Sequence, residues 1–239
     1  MRDAVWYGAR TLVLLGISLF LSCGQSFAQS DAGPRFTIIQ QIRGNETCCH
    51  KGTPEMRETL VSHPDIKELP LAWALRYDVL TDANESQKYR ELPKGHTLGL
   101  LLEVTPELAK ASGVGYKGKP DGSDWYNGKN AFLIGYSQPQ RRALLNRLFT
   151  TFHERFGFYP TFTVGWMVDA WSLKFMRDEW GVRVHELTKE QYETDSYTLV
   201  GGVFNLPYYP SLKHPLIPAG SSQEQLDLII LRQTISDIE

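Results

Sequence analysis

Among the 239 residues there are only three cysteines, no glycine-rich phosphate loop and no excess of charge of either sign. Each shortage removes a class. Three cysteines cannot form the dense disulfide framework of a small secreted scaffold. Lys and Arg number 25 and Asp and Glu 27, so a net charge of −2 gives no electrostatic reason to expect nucleic acid as a partner. Gly113-Val114-Gly115 and Gly118 lack the preceding strand and following helix of a phosphate cradle, and no Gly-x-Ser-x-Gly elbow occurs. The six His, at 50, 63, 96, 153, 185 and 214, include no pair three or four residues apart, the spacing that puts two imidazoles on one face. No metal site and no cofactor is therefore expected. What remains, with 42% hydrophobic and 22% charged residues, is the composition of a globular domain with one sizeable core.

Long apolar stretches are also scarce, and the one at the start reads as a leader. Arg2 and Arg10 precede an apolar run from Thr11 to Leu21, and Ser26-Phe27-Ala28 offers the small residues a signal peptidase reads. Cleavage after Ala28 leaves 211 residues and takes the net charge to −3, because Arg2, Arg10 and Asp3 depart. Lipid attachment at Cys23 is the weaker alternative, because Phe20-Leu21-Ser22 makes a poor lipobox. The apolar run is short for a spanning helix, so no stable membrane span is expected after cleavage, and a secreted or periplasmic protein follows. Cys48 and Cys49 are adjacent in sequence: they are either two loop thiols or a strained vicinal disulfide shaping the loop from Arg43 to His50.

Past the leader, short apolar runs alternate with amphipathic stretches, the pattern of a parallel sheet covered by helices. Strands are expected at Phe36 to Ile42, Leu71 to Tyr77, Leu98 to Leu102, Thr161 to Val168, Val182 to Leu187, Tyr197 to Val200 and Leu226 to Leu231. Helices are expected after the Thr105 cap with Pro106 at its first position, over Gln138 to Phe156, and from Asp169 to the stop at Gly181. The second carries a stripe of Leu144, Leu145, Leu148, Phe149, Phe152 and Phe156, a Ser137 and Gln140 capping box and a Gly157 stop. No repeat or linker divides residues 29–239, so one domain is expected. The fold class is α/β, an irregular (β/α)7-type barrel. Closed barrels of this kind need about 250 residues, which leaves a barrel incomplete at its C-terminal side or a fragment of a longer protein.

In parallel α/β folds the loops after strand carboxyl ends gather on one face. The polar residues there are Arg43 and Glu46, Asp78, Glu103, Asp169, and His185 with Glu186. Several carboxylates converging on one mouth suit acid and base chemistry. Glu103 follows a buried strand and precedes the Thr105 cap, so it has no capping duty of its own. Asp169 stands where a helix N-cap belongs, Asp78 has Arg76 two residues away as a partner, and His185 alternates with valines as a structural residue does. Aromatic side chains on the loops, Trp125, Trp166 and Tyr208 among them, are what a sugar ring stacks on; Trp171 and Trp180 read as core.

The order of these elements resembles the polysaccharide deacetylase-like (glycoside hydrolase/deacetylase) β/α barrel superfamily over Phe36 to Ser211. Leu71-Ala72-Trp73-Ala74-Leu75 stands where that family has an A-T-F-F type strand, and His96-Thr97-Leu98-Gly99-Leu100 is similar to the stretch leading into its His motif. Tyr136 to Gly181, with Phe156-Gly157-Phe158-Tyr159-Pro160 at its centre, resembles the family's helix, G-x-x-P turn, strand and helix. The metal-binding motifs differ: Gln40-Gln41-Ile42-Arg43-Gly44 replaces T-F-D-D-G, Glu103-Val104-Thr105-Pro106-Glu107 replaces H-S/T-x-x-H, and Thr163-Val164-Gly165-Trp166 replaces R-x-P. The resemblance implies a divergent branch without the usual metal triad.

The expectation is an exported carbohydrate-active hydrolase acting on a polysaccharide or oligosaccharide. Glu103 and Asp169 form its acid and base pair, Asp78 and Glu46 stand next in line, and Arg43, Trp166, Trp125 and Tyr208 bind substrate. The rival expectation is a noncatalytic carbohydrate-binding or cell-envelope protein, and a third is a deacetylase that recruits metal through new ligands.

Overall fold

Six parallel strands pair strictly in chain order, β1 (Ile39–Ile42), β2 (Ala72–Leu75), β3 (Thr97–Leu101), β4 (Phe162–Gly165), β5 (Val184–Leu187) and β6 (Ile229–Arg232). The computed structural model describes residues 37–44, 53–118, 127–188, 201–204 and 206–233, and residues 37–239 form one compact unit. Among the described residues the sheet curls as a half-barrel and does not close. The α/β class and the barrel-like order expected from the sequence are present; the leader, Glu46, Cys48, Cys49, Trp125 and the strand expected at Tyr197 to Val200 lie outside the described residues.

Connections run through α1 (Thr53–Ser62) between β1 and β2, α2 (Tyr77–Thr81) and α3 (Ala83–Arg90) between β2 and β3, and α4 (Pro106–Ala111), α5 (Gly128–Ala131) and α6 (Gln138–Phe156) between β3 and β4. The last helix, α7 (Ala170–Trp180), joins β4 to β5. Helix ends follow their local chemistry. Thr105 accepts from the Leu108 amide at 3.1 Å, Asp82 accepts from the Asn84 and Glu85 amides, and the Ser137 amide donates to Gln140 Oε1 at 2.9 Å. Gly157 and Gly181 end α6 and α7 at φ of 81° and 73°, where any side chain would be strained.

Period-two alternation sorts the strand side chains onto two faces. Trp73, Leu75, Leu100, Leu102, Leu187 and Ile230 join the α6 stripe of Leu144, Leu145, Leu148, Phe149 and Phe152 in the main core. Each such side chain, fully buried, contributes about 1.5–3 kcal/mol of transfer free energy. The opposite, inner face holds Ala74, Leu101, Phe162, Val164 and Trp166 with Ala131 and Phe132 of the β3–β4 connection. Small and large residues interlock there: a Cβ on Gly99 would stand 2.4 Å from the Phe162 ring, so glycine leaves the space that Phe162 fills.

The expectation that Trp171 and Trp180 are core needs adjusting. Both are half-buried, Trp180 stacked on Phe149 and Trp171 on Phe175 beside Arg142, whereas Trp166 is only 1% exposed. At the far side of the sheet, the outward backbone of β6 is met by Tyr208: its amide donates to the Ile230 carbonyl at 3.1 Å and its carbonyl accepts from the Ile230 amide at 2.8 Å.

Candidate functional site

Register carries the alternation to the carboxyl ends of the strands. Gln41, Ala74, Gly99, Phe162, Val184 and Ile229 lie in one row across the inner face, and two residues further on come Arg43, Arg76, Leu101, Val164, Glu186 and Leu231. Glu103 and Trp166 stand one row higher. Three neighbouring strands thus present two guanidiniums and a carboxylate to one rim, and Asp78, in the first turn of α2, adds a second carboxylate.

These groups form one network. Glu103 accepts from Arg43 Nη2 at 2.8 Å, from Arg43 Nε at 3.0 and 3.1 Å, and from Arg76 Nη1 at 3.2 Å. Arg76 turns its other edge to Asp78, with Nε donating to Oδ1 at 2.9 Å and Nη2 to Oδ2 at 2.7 Å. The Val79 amide also donates to Asp78 Oδ1, so Asp78 has both the arginine and the turn amide that its sequence context suggests. Arg43 Nη2 donates further to Gln41 Oε1, and the Arg43 guanidinium lies 5.3 Å from the Trp166 ring centroid. Trp166 stacks in turn on Phe132, centroids 5.4 Å apart.

Among the described residues two positive and two negative charges balance, as suits a buried cluster: Arg76, Asp78 and Glu103 are each under 5% exposed. Desolvating one such ion costs several kcal/mol, repaid only when hydrogen bonds and opposite charge surround it. Arg43, with a quarter of its side chain exposed, is the member that reaches solvent. Gly44 closes over the cluster, since a Cβ there would meet Asp78 Oδ2 at 3.1 Å.

Asp169, Tyr208 and His185 have partners outside this network. Asp169 caps α7, accepting from the Ser172 amide at 3.0 Å and the Ser172 hydroxyl at 2.6 Å, and pairs with Arg141 of α6 at 2.5 Å. None of these partners belongs to the Glu103 network. Tyr208 is buried, its hydroxyl donating to the Pro215 carbonyl at 2.9 Å and its pKa pushed up to about 12 by burial. His185 is fully buried with Nδ1 2.7 Å from Thr163 Oγ1, and desolvation holds its pKa down to about 3. Arg76 and Gln41 are the rim residues that a search for carboxylates passes over. Their signal is alternation: Arg76 follows Ala72 and Ala74, and Gln41 precedes Arg43, at inward positions.

A divalent cation does not fit this rim. It would sit against two guanidiniums, and among the described residues no three His, Cys, Asp or Glu side chains are grouped to hold a metal. Two cavities, of about 330 and 360 Å³, open at the other end of the sheet, beside the amino ends of β5 and β6 and of β3 respectively. Among the described residues no helix is long and apolar enough to cross a membrane.

A family model described as a domain of unknown function with a solved structure, DUF3863, matches residues 45–238. The chain belongs to the DUF3863 family. No curated protein matches it. Among solved structures this DUF3863 chain is similar to a Parabacteroides distasonis protein bearing the name "putative glycoside hydrolase/deacetylase", with a TM-score of 0.51 and 16% sequence identity. The alignment covers 84% of this chain and 45% of that one, so the chain spans less than half the length of its neighbour. At this identity the likeness is one of fold, and it agrees with the barrel-type order of strands and helices described above.

Proposed function

We propose that this DUF3863 chain is an exported carbohydrate-active hydrolase whose saccharide site is the inner rim at the carboxyl ends of β1 to β4, with Glu103 as the proton-transferring carboxylate. The carrying observation is that Arg76 binds Glu103 and Asp78 on two edges of one guanidinium. Carboxylates held on different edges of a guanidinium stand on the order of 7 Å apart, inside the window of about 6.5–9.5 Å used by inverting glycosidases. In this reading Asp78 takes the part first given to Asp169, which caps a helix and pairs with Arg141. Arg43 meets the substrate's hydroxyls, and the fold-level likeness to a protein named for glycoside hydrolysis and deacetylation supports a sugar as the ligand.

The test is Glu103→Gln, assayed by release of reducing ends and of acetate from a panel of polysaccharides. Loss of a proton-transferring group costs about 10²- to 10⁴-fold in turnover, with saccharide binding retained and with Asp169→Asn much less affected. Wild-type turnover in Glu103→Gln refutes the assignment. One observation favours a second reading, a saccharide-binding protein without turnover: both oxygens of Glu103 are already occupied by guanidinium N–H groups. That reading expects no product from the native chain on any member of the panel, and weaker binding in Glu103→Gln.

A further inference from the structure

The cavity of about 330 Å³ at the amino ends of β5 and β6 lies at the opposite end of the strands from the Glu103 rim, and its walls carry side chains that no part of the fold uses. Arg183, Asp227 and Tyr209 all line it. Tyr209 is 43% exposed, its ring in contact with no other ring or cation. The Arg183 guanidinium and the Asp227 carboxylate are both exposed, and neither has a side-chain partner within the described fold, nor do they pair with each other. Arg177, on the same wall, is committed to Asp178.

All three uncommitted side chains stand on fixed backbone. Arg183 follows Val182, which is fully buried, and its amide donates to the Thr161 carbonyl at 2.8 Å while its carbonyl accepts from the Ile229 amide at 2.8 Å. Asp227 sits between Leu226 and Leu228, 0% and 1% exposed. Tyr209 lies between Tyr208, locked to Ile230, and Pro210, whose carbonyl accepts from the Leu226 amide at 2.9 Å, and its own carbonyl accepts from Ala219. The backbone is thus ordered before any ligand arrives, so less ordering entropy is lost on binding.

We infer that this cavity is a second, noncatalytic saccharide-binding site, with Tyr209 as the stacking platform and Arg183 and Asp227 as the groups that hold the hydroxyls. An exposed ring offers the apolar face a pyranose needs. A guanidinium and a carboxylate supply paired donors and paired acceptors, the complement of a vicinal diol. The lining carries Arg177, Arg183 and Asp227, and Asp178, outside the lining, pairs with Arg177, so little net charge is left to favour an anion over an uncharged sugar. The volume falls at the lower end of ligand-sized cavities, about 300–1,000 Å³, enough for a short segment of a chain. The inference needs no turnover and stands apart from the Glu103 assignment.

The experiment is titration of the native chain with cellotriose, maltotriose and N,N′,N″-triacetylchitotriose, followed by saturation-transfer NMR and calorimetry, in four proteins: native, Tyr209→Ala, Arg183→Gln with Asp227→Asn, and Glu103→Gln. All the altered positions of the first two variants are exposed, and an unchanged thermal midpoint shows that they fold. Expected is binding of at least one trisaccharide in the millimolar range or tighter, with one class of sites that is weakened at least tenfold in Tyr209→Ala and in the double variant and is untouched by Glu103→Gln, whatever that variant does to binding at the rim. No binding of any of the three sugars by the native chain overturns the inference. So does a Tyr209→Ala isotherm that matches the native one in affinity and stoichiometry, or loss of all binding in Glu103→Gln. Competition by millimolar inorganic phosphate would instead make the cavity an anion site and overturn it equally.

Discussion

Replacing Arg76 by Met removes a cation shared by two buried carboxylates, and its cost can be worked from the contacts. Arg76 gives Asp78 two hydrogen bonds, at 2.9 and 2.7 Å, and Glu103 one at 3.2 Å. Glu103 keeps the Arg43 bonds when Arg76 is lost, so the damage falls mainly on Asp78, 4% exposed and deprived of its guanidinium. Breaking a buried pair from one side costs about 3–5 kcal/mol, whereas replacing both partners by apolar groups is often close to neutral. Arg76→Met should therefore lower the thermal midpoint by about 6–20 °C, at about 2–4 °C per kcal/mol for a domain of this size. Arg76→Met with Asp78→Leu should recover most of that loss. The assay is urea unfolding followed by tryptophan fluorescence for the two single variants and the double, at pH 7 and pH 4. A buried carboxylate that has lost its guanidinium takes up a proton more readily, so the deficit of Arg76→Met narrows at pH 4. A loss under about 1 kcal/mol at pH 7, or two single losses that simply add, would refute the view of the rim as one coupled cluster.

His185 should make stability pH-dependent. Its folded pKa is depressed to about 3 from 6.5, so the unfolded chain binds the proton first and stability, full above about pH 6.5, falls as pH drops toward 3. The slope is up to about 1.4 kcal/mol per pH unit, and it should flatten in His185→Gln when urea midpoints are compared from pH 7 to pH 4; equal slopes in the two proteins would count against it. Gly99→Ala pushes a methyl into the Phe162 ring, at 2.4 Å as built, and overpacking of this kind costs about 1–3 kcal/mol. Adding Phe162→Leu to Gly99→Ala should restore part of that, which thermal unfolding can read directly.

Element positions were largely legible in the sequence because most local signals agree with the global fold. Ser137, Gln140 and Gly157 place both ends of α6, and Asp169 and Gly181 place α7, at the observed residues. The strand signals give position but overrun at the ends: β1 begins at Ile39, after the exposed Ile38, and Thr161 to Val168 contracts to Phe162–Gly165 because Trp166 and Val168 continue past the hydrogen-bonded ladder into the core. Helices α1, α2 and α3 lack a strong apolar stripe; α3 reads ANESQKYR and is marked only by its Asp82 cap.

The site was legible in part, for a related reason. Glu103 stands out because no local duty explains it, and it is the hub of the network. Asp169, the other strand-end carboxylate expected there, caps α7 and pairs with Arg141, and neither Ser172 nor Arg141, its partners, is a member of the Glu103 network. Trp166 follows β4 as a platform should, yet alternation turns it inward beneath Arg43 and against Phe132, where it supports the arginine. Tyr208 and Tyr209 exchange places in the same way: successive residues face opposite sides, and the ring left outside is Tyr209.

The pairing of Tyr208 with Ile230 also decides where this sheet can grow. An edge strand with open amides and carbonyls is a template for a further strand from the same or another molecule. At Ile230 both outward groups are spent on Tyr208, so a newcomer at β6 must first peel away a segment whose buried tyrosine also bonds the Pro215 carbonyl. Phe204 bridges Arg232 on the same edge, so among the described residues two short contacts, at Ile230 and at Arg232, stand as a stopper against runaway strand addition there.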